Sequence, residues 1–214
     1  MATHSQPVAP VLTADELAAL SGEGVVKSYP KNAIIVNEGD DTDTLFIILS
    51  GRVKVFLTNE SGKEIVLGTQ GPGEYFGEMV LDGGPRSASV MTLEPARFAV
   101  IPKARFHEFV RGHPEFAIHL IEKLIRRTRA LTENVKSLAL MDVYGRVARL
   151  LLEMAAEEDG RLVVREKLTH QDVASRVGAS REMISRIFKD LTVGGYISVE
   201  QKRITINKTP PRHW

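Results

Sequence analysis

Gly73-Glu74-Tyr75-Phe76-Gly77-Glu78-Met79-Val80-Leu81-Asp82-Gly83-Gly84-Pro85-Arg86-Ser87-Ala88 is the stretch on which the reading of this chain turns. It combines an acceptor carboxylate (Glu78), a guanidinium (Arg86) and several glycines and small residues. Arginine suits a phosphate because its planar fork offers paired, charge-assisted donors. Gly77, Gly83 and Gly84 let the backbone turn sharply and bring its N–H groups close to an anion with no Cβ in the way. A glutamate can accept from a sugar hydroxyl, as acidic residues do for the ribose of nucleotides. Read alone, the segment implies a phosphate and a sugar.

The residues on either side give the segment its frame. Short β-rich runs precede and follow it: Ala33–Val36, Thr44–Leu49, Val53–Leu57, Glu64–Leu67, Ala88–Thr92 and Arg97–Ile101. Turn signals separate them, among them Glu38-Gly39-Asp40, Ser50-Gly51, Asn59-Glu60-Ser61-Gly62 and Gly71-Pro72-Gly73. Evenly spaced short strands predict a barrel or roll, and an irregular insertion in such a frame is where function tends to sit. Ahead of the roll, residues 1–12 read as a loose tail. Thr13-Ala14-Asp15-Glu16 then has capping-box spacing for a short helix ending near Leu20.

Beyond Pro114 the pattern becomes helical and stays so to about Ala156. Ala117, Ile121, Leu124, Thr128, Leu131, Val135 and Leu138 alternate steps of four and three, which predicts a heptad seam between two copies of one long helix. Arg126, Arg127, Arg129, Glu133, Asn134 and Lys136 occupy the remaining faces and leave little apolar surface for another partner. Asp142 is positioned to cap a second helix, with Val143, Val147, Leu150, Leu151 and Met154 turned to a new core. The predicted division is 1–112 for the β domain, 113–141 for the dimerisation helix and 142–214 for the last domain.

Leu168 to Leu191 has the pattern of a helix-turn-helix. Thr169 and Asp172 have capping-box spacing, and Val173, Val177, Ile184 and Ile187 fall at buried positions. Ala174 is small where two helices approach, and Gly178 stands at the turn. Ser180 can cap the second helix, so Arg181, Glu182, Ser185 and Arg186 project from its first turns, where a recognition helix meets base edges. Arginine reads guanine through O6 and N7, and glutamate accepts from cytosine N4. Tyr196–Val199 and Arg203–Ile206 flank Glu200-Gln201-Lys202 as the two strands of a wing.

Composition agrees with this division. The whole chain carries +1, yet residues 161–214 hold eleven Lys/Arg against five Asp/Glu, which leaves −5 on residues 1–160. A basic C-terminal third on an acidic remainder suits a polyanion partner. The absence of cysteine excludes disulfides, cysteine-ligated clusters and a cysteine nucleophile. His107, His113 and His119 read as surface or packing residues, and no metal site is expected. No Walker motif, kinase loop or nucleophile elbow occurs, so no catalytic residues are assigned and an enzyme is not expected. No signal-peptide-like or membrane-spanning run is found, and a cytoplasmic location away from membranes is the expectation.

With both ends read, the chain resembles the Crp–Fnr superfamily of bacterial transcription regulators over nearly its whole length, most closely the cyclic-AMP receptor (catabolite activator) branch. The likeness rests on Phe76-Gly77-Glu78, Pro85-Arg86-Ser87-Ala88, Leu138–Arg146, and Ser180-Arg181-Glu182 with Arg186. It implies an α+β homodimer: an N-terminal double-stranded β-roll of the cyclic-nucleotide-binding type, a long dimerisation helix and a C-terminal winged helix-turn-helix. By that resemblance Glu78 holds the ribose 2′-OH, and Arg86 and Ser87 hold the cyclic phosphate with backbone help from Gly77 and Ala88. Thr132 reaches the base across the dimer. The implied effector is cAMP, and the implied DNA contacts are Thr169, Gln171, Ser180, Arg181, Glu182, Ser185, Arg186 and Lys189. A palindrome of TGTGA-like half-sites is the first expectation and a TTGAT-like one the second, with RNA polymerase as a further partner. The alternatives are a regulator of the same family with a different effector or none, and a cyclic-nucleotide module that does not bind DNA.

Overall fold

A computed structural model describes residues 12–201 and 203–210. The tail expected over residues 1–12 lies, up to residue 11, outside the described residues, as does Lys202 of the wing turn. In chain order the elements are α1 (Ala14–Gly22), β1 (Val25–Tyr29), β2 (Ile34–Val36), β3 (Thr44–Ser50), β4 (Val53–Thr58), β5 (Glu64–Gln70) and β6 (Tyr75–Phe76). A 3-10 turn (Glu78–Asp82) follows, then β7 (Ser89–Thr92), β8 (Ala96–Pro102), α2 (Lys103–Gly112), α3 (Pro114–Leu140) and α4 (Val143–Met154). The chain continues through β9 (Ala155–Glu158), β10 (Arg161–Val164), α5 (His170–Val177), α6 (Arg181–Val193), β11 (Ile197–Glu200) and β12 (Arg203–Ile206). Two compact units result: residues to 57 with 66–129, and 58–65 with 130 onward.

The first unit is built on two four-stranded antiparallel sheets, ordered β1-β8-β3-β6 and β2-β7-β4-β5. Strand β3 shows why they hold together. Its run Leu45-Phe46-Ile47-Ile48 is buried throughout, because alternate side chains serve two different cores. Leu45 and Ile47 pack with Ala99, Ile101 and the helix residues Phe106, Phe109, Phe116 and Leu120. Phe46 and Ile48 pack inside the roll with Val53, Val55, Phe76, Val90 and Phe98. The Phe46 and Phe76 rings stack at 4.9 Å, and Phe98 meets both edge-on. Burying a phenylalanine of this kind contributes about 1.5–3 kcal/mol.

The second unit follows the same logic around α5 and α6. Val173, Ala174, Val177, Ile184 and Ile187 share one core with Val147, Leu151, Leu191, Ile197 and Ile204. Thr169 and Asp172 form the capping box, and the Ser180 hydroxyl accepts from the Met183 N–H at 3.2 Å. Gly178 ends α5 with φ of +71°, a left-handed conformation that favours glycine. Asp142 caps α4 by accepting from the Gly145 N–H at 2.7 Å. Arg146 donates to the carbonyls of Val177 and Met141, each at 2.8 Å, and so satisfies oxygens left over at two helix ends.

Several elements differ from the sequence reading. Helix α4 stops at Met154, and the residues that follow it form a hairpin of β9 and β10. Asp159 and Gly160 both have positive φ there, the signature of an Asp-Gly hairpin turn. Strands β1 and β6 and helix α2 were also not separated from their surroundings. Helix α2 is short and carries Lys103, Arg105, Glu108 and Arg111 among its apolar residues, and it is held by Phe106 and Phe109, three residues apart and both buried.

Candidate functional site

The opening segment forms one wall of a cavity in the first unit. Gly77, Glu78, Arg86, Ser87 and Ala88 line it, together with Val36, Val55, Val90 and Phe76, and Arg127 enters from α3. Five of the six effector residues expected from sequence therefore meet in one place. The sixth, Thr132, lies on α3, exposed and outside the residues that line the cavity.

Arg86 is 7% exposed, and its fork is anchored on three sides. Nε donates to the Thr42 hydroxyl at 2.6 Å, Nη2 to the Thr44 carbonyl at 2.5 Å and Nη1 to the Gly77 carbonyl at 3.3 Å. The Arg86 main chain also pairs with Gly39 and Asp40. Burial pushes the guanidinium's pKa down, opposed by Asp40, Asp43 and Glu78, yet an arginine stays charged under all working conditions. The cavity wall thus presents a fixed positive charge.

Gly77 makes this approach possible. Its φ is +87°, and an added Cβ would lie 2.7 Å from Arg86 Nη1 and 2.9 Å from the Thr44 carbonyl oxygen. Gly77→Ala is expected to lower stability by about 1–3 kcal/mol through backbone strain and displacement of Arg86. The urea midpoint measures this, with Gly22→Ala as a control at a site where nothing lies within 4 Å of the added carbon.

Glu78 is the second fixed charge and is 3% exposed. Its Oε1 accepts from Arg127 Nη1 at 3.0 Å. Its Oε2 is buried without a hydrogen bond, and the Lys123 ammonium stands 3.7 Å away, an ion-pair distance. A buried acceptor without a donor costs about 1–3 kcal/mol, a penalty that an incoming hydroxyl can relieve. A carboxylate with an open lone pair and a guanidinium walled by small residues therefore fit a sugar phosphate.

Arg127 and Lys123 were not among the sequence candidates, and Arg127 was placed on the solvated flank of the seam. A signal was present. Phe116, Leu120, Lys123 and Arg127 follow steps of four, three and four, which marks a second helix face turned to the roll. Phe116 and Leu120 on that face are buried. The seam positions Ile121, Leu124, Leu131, Val135 and Leu138 are instead 39–66% exposed in the single chain, beside Ile118 and Ile125. His113 stacks on Phe109, and His119 meets the Glu16 carboxylate at 3.1 Å. Among the described residues, no group of three or more His, Cys, Asp or Glu could hold a metal ion.

In the second unit, Thr169, Gln171, Arg181, Ser185 and Lys189 line one concave face with Phe188 and Val199. Arg181, Ser185 and Lys189 follow each other at i, i+4 and i+8 on α6. Glu182 and Arg186 are exposed on the adjoining strip, and Ser180 is spent on capping. The Glu182 carboxyl is held below its ordinary pKa by its own backbone N–H and the Ser180 hydroxyl, with Arg181 and Arg186 adding to the effect. It is therefore an acceptor at neutral pH.

A roll with this cavity and a winged helix-turn-helix define a DNA-binding regulator with an effector domain. The family model described as a cyclic nucleotide-binding domain matches residues 26–113, and that of a Crp-like helix-turn-helix domain matches residues 145–210. The chain is 34% identical over 196 residues to a CRP-like cAMP-activated global transcriptional regulator of Mycobacterium tuberculosis, covering 89% of this chain and 88% of that protein. It is 32% identical over 192 residues to the cAMP-activated global transcriptional regulator CRP of Pasteurella multocida, covering 86% and 90%. Among solved structures, the c-di-GMP responsive global regulator CLP of Xanthomonas campestris superposes with a TM-score of 0.81 at 25% identity, covering 92% of this chain and 100% of that one. The chain belongs to the Crp–Fnr family of transcription regulators and stands close to CRP. No helix among the described residues is long and apolar enough to cross a membrane.

Proposed function

We propose that this chain is a homodimeric regulator whose sequence-specific DNA binding is controlled by cAMP. The observation that carries the reading is the meeting of Glu78 and Arg86 in one cavity edged by Gly77, Ser87 and Ala88. Glu78 Oε2 accepts from the ribose 2′-OH. Arg86, the Ser87 hydroxyl and backbone N–H groups at Gly77 and Ala88 hold the cyclic phosphate. Thr132, from the partner's α3, reaches the base. Residues 1–112 receive the effector, 113–141 dimerise and 142–214 bind DNA, with the protein acting on RNA polymerase in the cytoplasm. An effector shifts the protein between states only if it binds one of them better, and a coupling of about 1–3 kcal/mol changes DNA affinity roughly 5–150-fold.

On DNA, Thr169, Gln171 and the main chain at Ser180 anchor the phosphate backbone, and Arg181, Glu182, Ser185, Arg186 and Lys189 face the major groove. TGTGA-like half-sites are the first choice and TTGAT-like ones the second. Arg181→Ala is expected to relax the preference at one guanine per half-site by about 1–3 kcal/mol. Binding-site selection from random duplexes reads this, and an unaltered preference contradicts the assignment. A second reading, a cyclic dinucleotide effector, draws on the likeness to the c-di-GMP responsive regulator. Comparing cAMP with c-di-GMP in calorimetry separates the two.

A further inference from the structure

Lys123 is the most deeply buried lysine among the described residues for which exposure is given, at 7%. Its ammonium donates to the Tyr75 carbonyl and sits 3.3 Å from the centre of the Tyr75 ring. That ring is itself fully buried. Two features of Tyr75, the carbonyl and the ring, thus fix where this cation stands. Its nearest acidic partner is Glu78, at 3.7 Å from Oε2. The other charges acting on it are Glu74, beside β6, and Arg127, one turn along α3.

The division of labour on Glu78 is unequal. Arg127 takes Oε1 with a hydrogen bond. Lys123 lies too far from Oε2 to use its lone pair but near enough to stabilise its charge. A buried carboxylate needs that compensation, because removing it from water without a paired charge is unfavourable. A cation that compensates without bonding leaves Oε2 available as an acceptor.

We propose that Lys123 is a positioning residue for effector recognition, which balances the charge of the Glu78 carboxylate and holds it in place while leaving Oε2 open to a ribose 2′-hydroxyl. The proposal rests on the cyclic-nucleotide reading of the cavity. It also carries a pH signature. Burial pulls the Lys123 pKa down from 10.5 to about 8, against the opposing pull of Glu78 and with Arg127 adding to the drop. The ion pair with Glu78 is present below about pH 8 and is lost as pH rises through that value. Folding responds with the opposite sign. The unfolded chain holds the Lys123 proton up to about pH 10.5, so this group's contribution to stability increases between about pH 8 and 10.5.

The test measures binding of cAMP and 2′-deoxy-cAMP to the full chain and to Lys123→Gln and Lys123→Met by calorimetry from pH 6.5 to 9.5. Glutamine keeps a donor for the Tyr75 carbonyl and methionine keeps the volume, and circular dichroism identifies the variant that retains the fold. The expected result is wild-type preference for cAMP over its 2′-deoxy analogue that falls about tenfold in either folded variant, with affinity for the analogue unchanged. In the wild type that preference declines above about pH 8, and in the variants it is flat. Equal losses for both ligands, or an unchanged preference, overturn the role of Lys123 while the cavity reading stands. Wild-type protein that binds neither ligand overturns the cavity reading, and the proposal with it.

Discussion

Arg86→Ala is expected to weaken cyclic-nucleotide binding at least about a hundredfold, because it removes a paired, charge-assisted contact from a cavity with little other positive charge on that wall. From sequence alone Arg86 reads as a ligand residue only. The structure adds a second role: its fork ties the loop carrying Thr42 and Thr44 to the Gly77 carbonyl. Truncation leaves buried acceptors without donors, so a stability loss of about 1–3 kcal/mol accompanies the loss of affinity. Arg86→Lys separates the two effects. It keeps the charge but cannot reproduce the planar fork, so partial affinity at reduced stability is the outcome. Calorimetry gives the first quantity and urea titration the second. Wild-type affinity in Arg86→Ala contradicts the phosphate assignment.

Leu124→Glu is the other substitution with a large expected effect. Leu124 is 39% exposed in the single chain and lies near the middle of the apolar stripe on α3. In a parallel dimer the change places two carboxylates against each other on a desolvated seam, at a cost of several kcal/mol per ion. The expected result is a monomer by analytical ultracentrifugation, with binding to a palindromic duplex lost because two half-sites are no longer held one helical turn apart. Unchanged mass and unchanged duplex affinity contradict the seam.

Much of the architecture was legible in the sequence because it rests on local chemistry. Thr13 with Glu16, and Thr169 with Asp172, form the capping boxes that their spacing predicts. Gly178 takes the positive φ that the helix-turn-helix turn requires. Val173, Val177, Ile184 and Ile187 are buried as their periodicity implies. What escaped depends on contacts between distant segments. Lys123 and Arg127 look like solvated charges until the roll is folded against α3, and Thr42 and Thr44 carry no signal until Arg86 reaches them. The hairpin at Asp159-Gly160 is a different case. Its turn dipeptide was present, but the helical texture running into Ala155 and Ala156 masked it.

The proposed switch couples the cavity at Glu78 and Arg86 to the surface on α6 that faces DNA. The most direct measurement titrates the full chain with cAMP, cGMP and c-di-GMP while following its binding to a TGTGA–TCACA duplex at fixed salt, since affinity for DNA depends on ionic strength. The expected result is a gain in duplex affinity of roughly 5–150-fold with cAMP, a smaller change with the other two, and none in Arg86→Ala. Duplex affinity that stays constant across all three ligands in the wild type would contradict it.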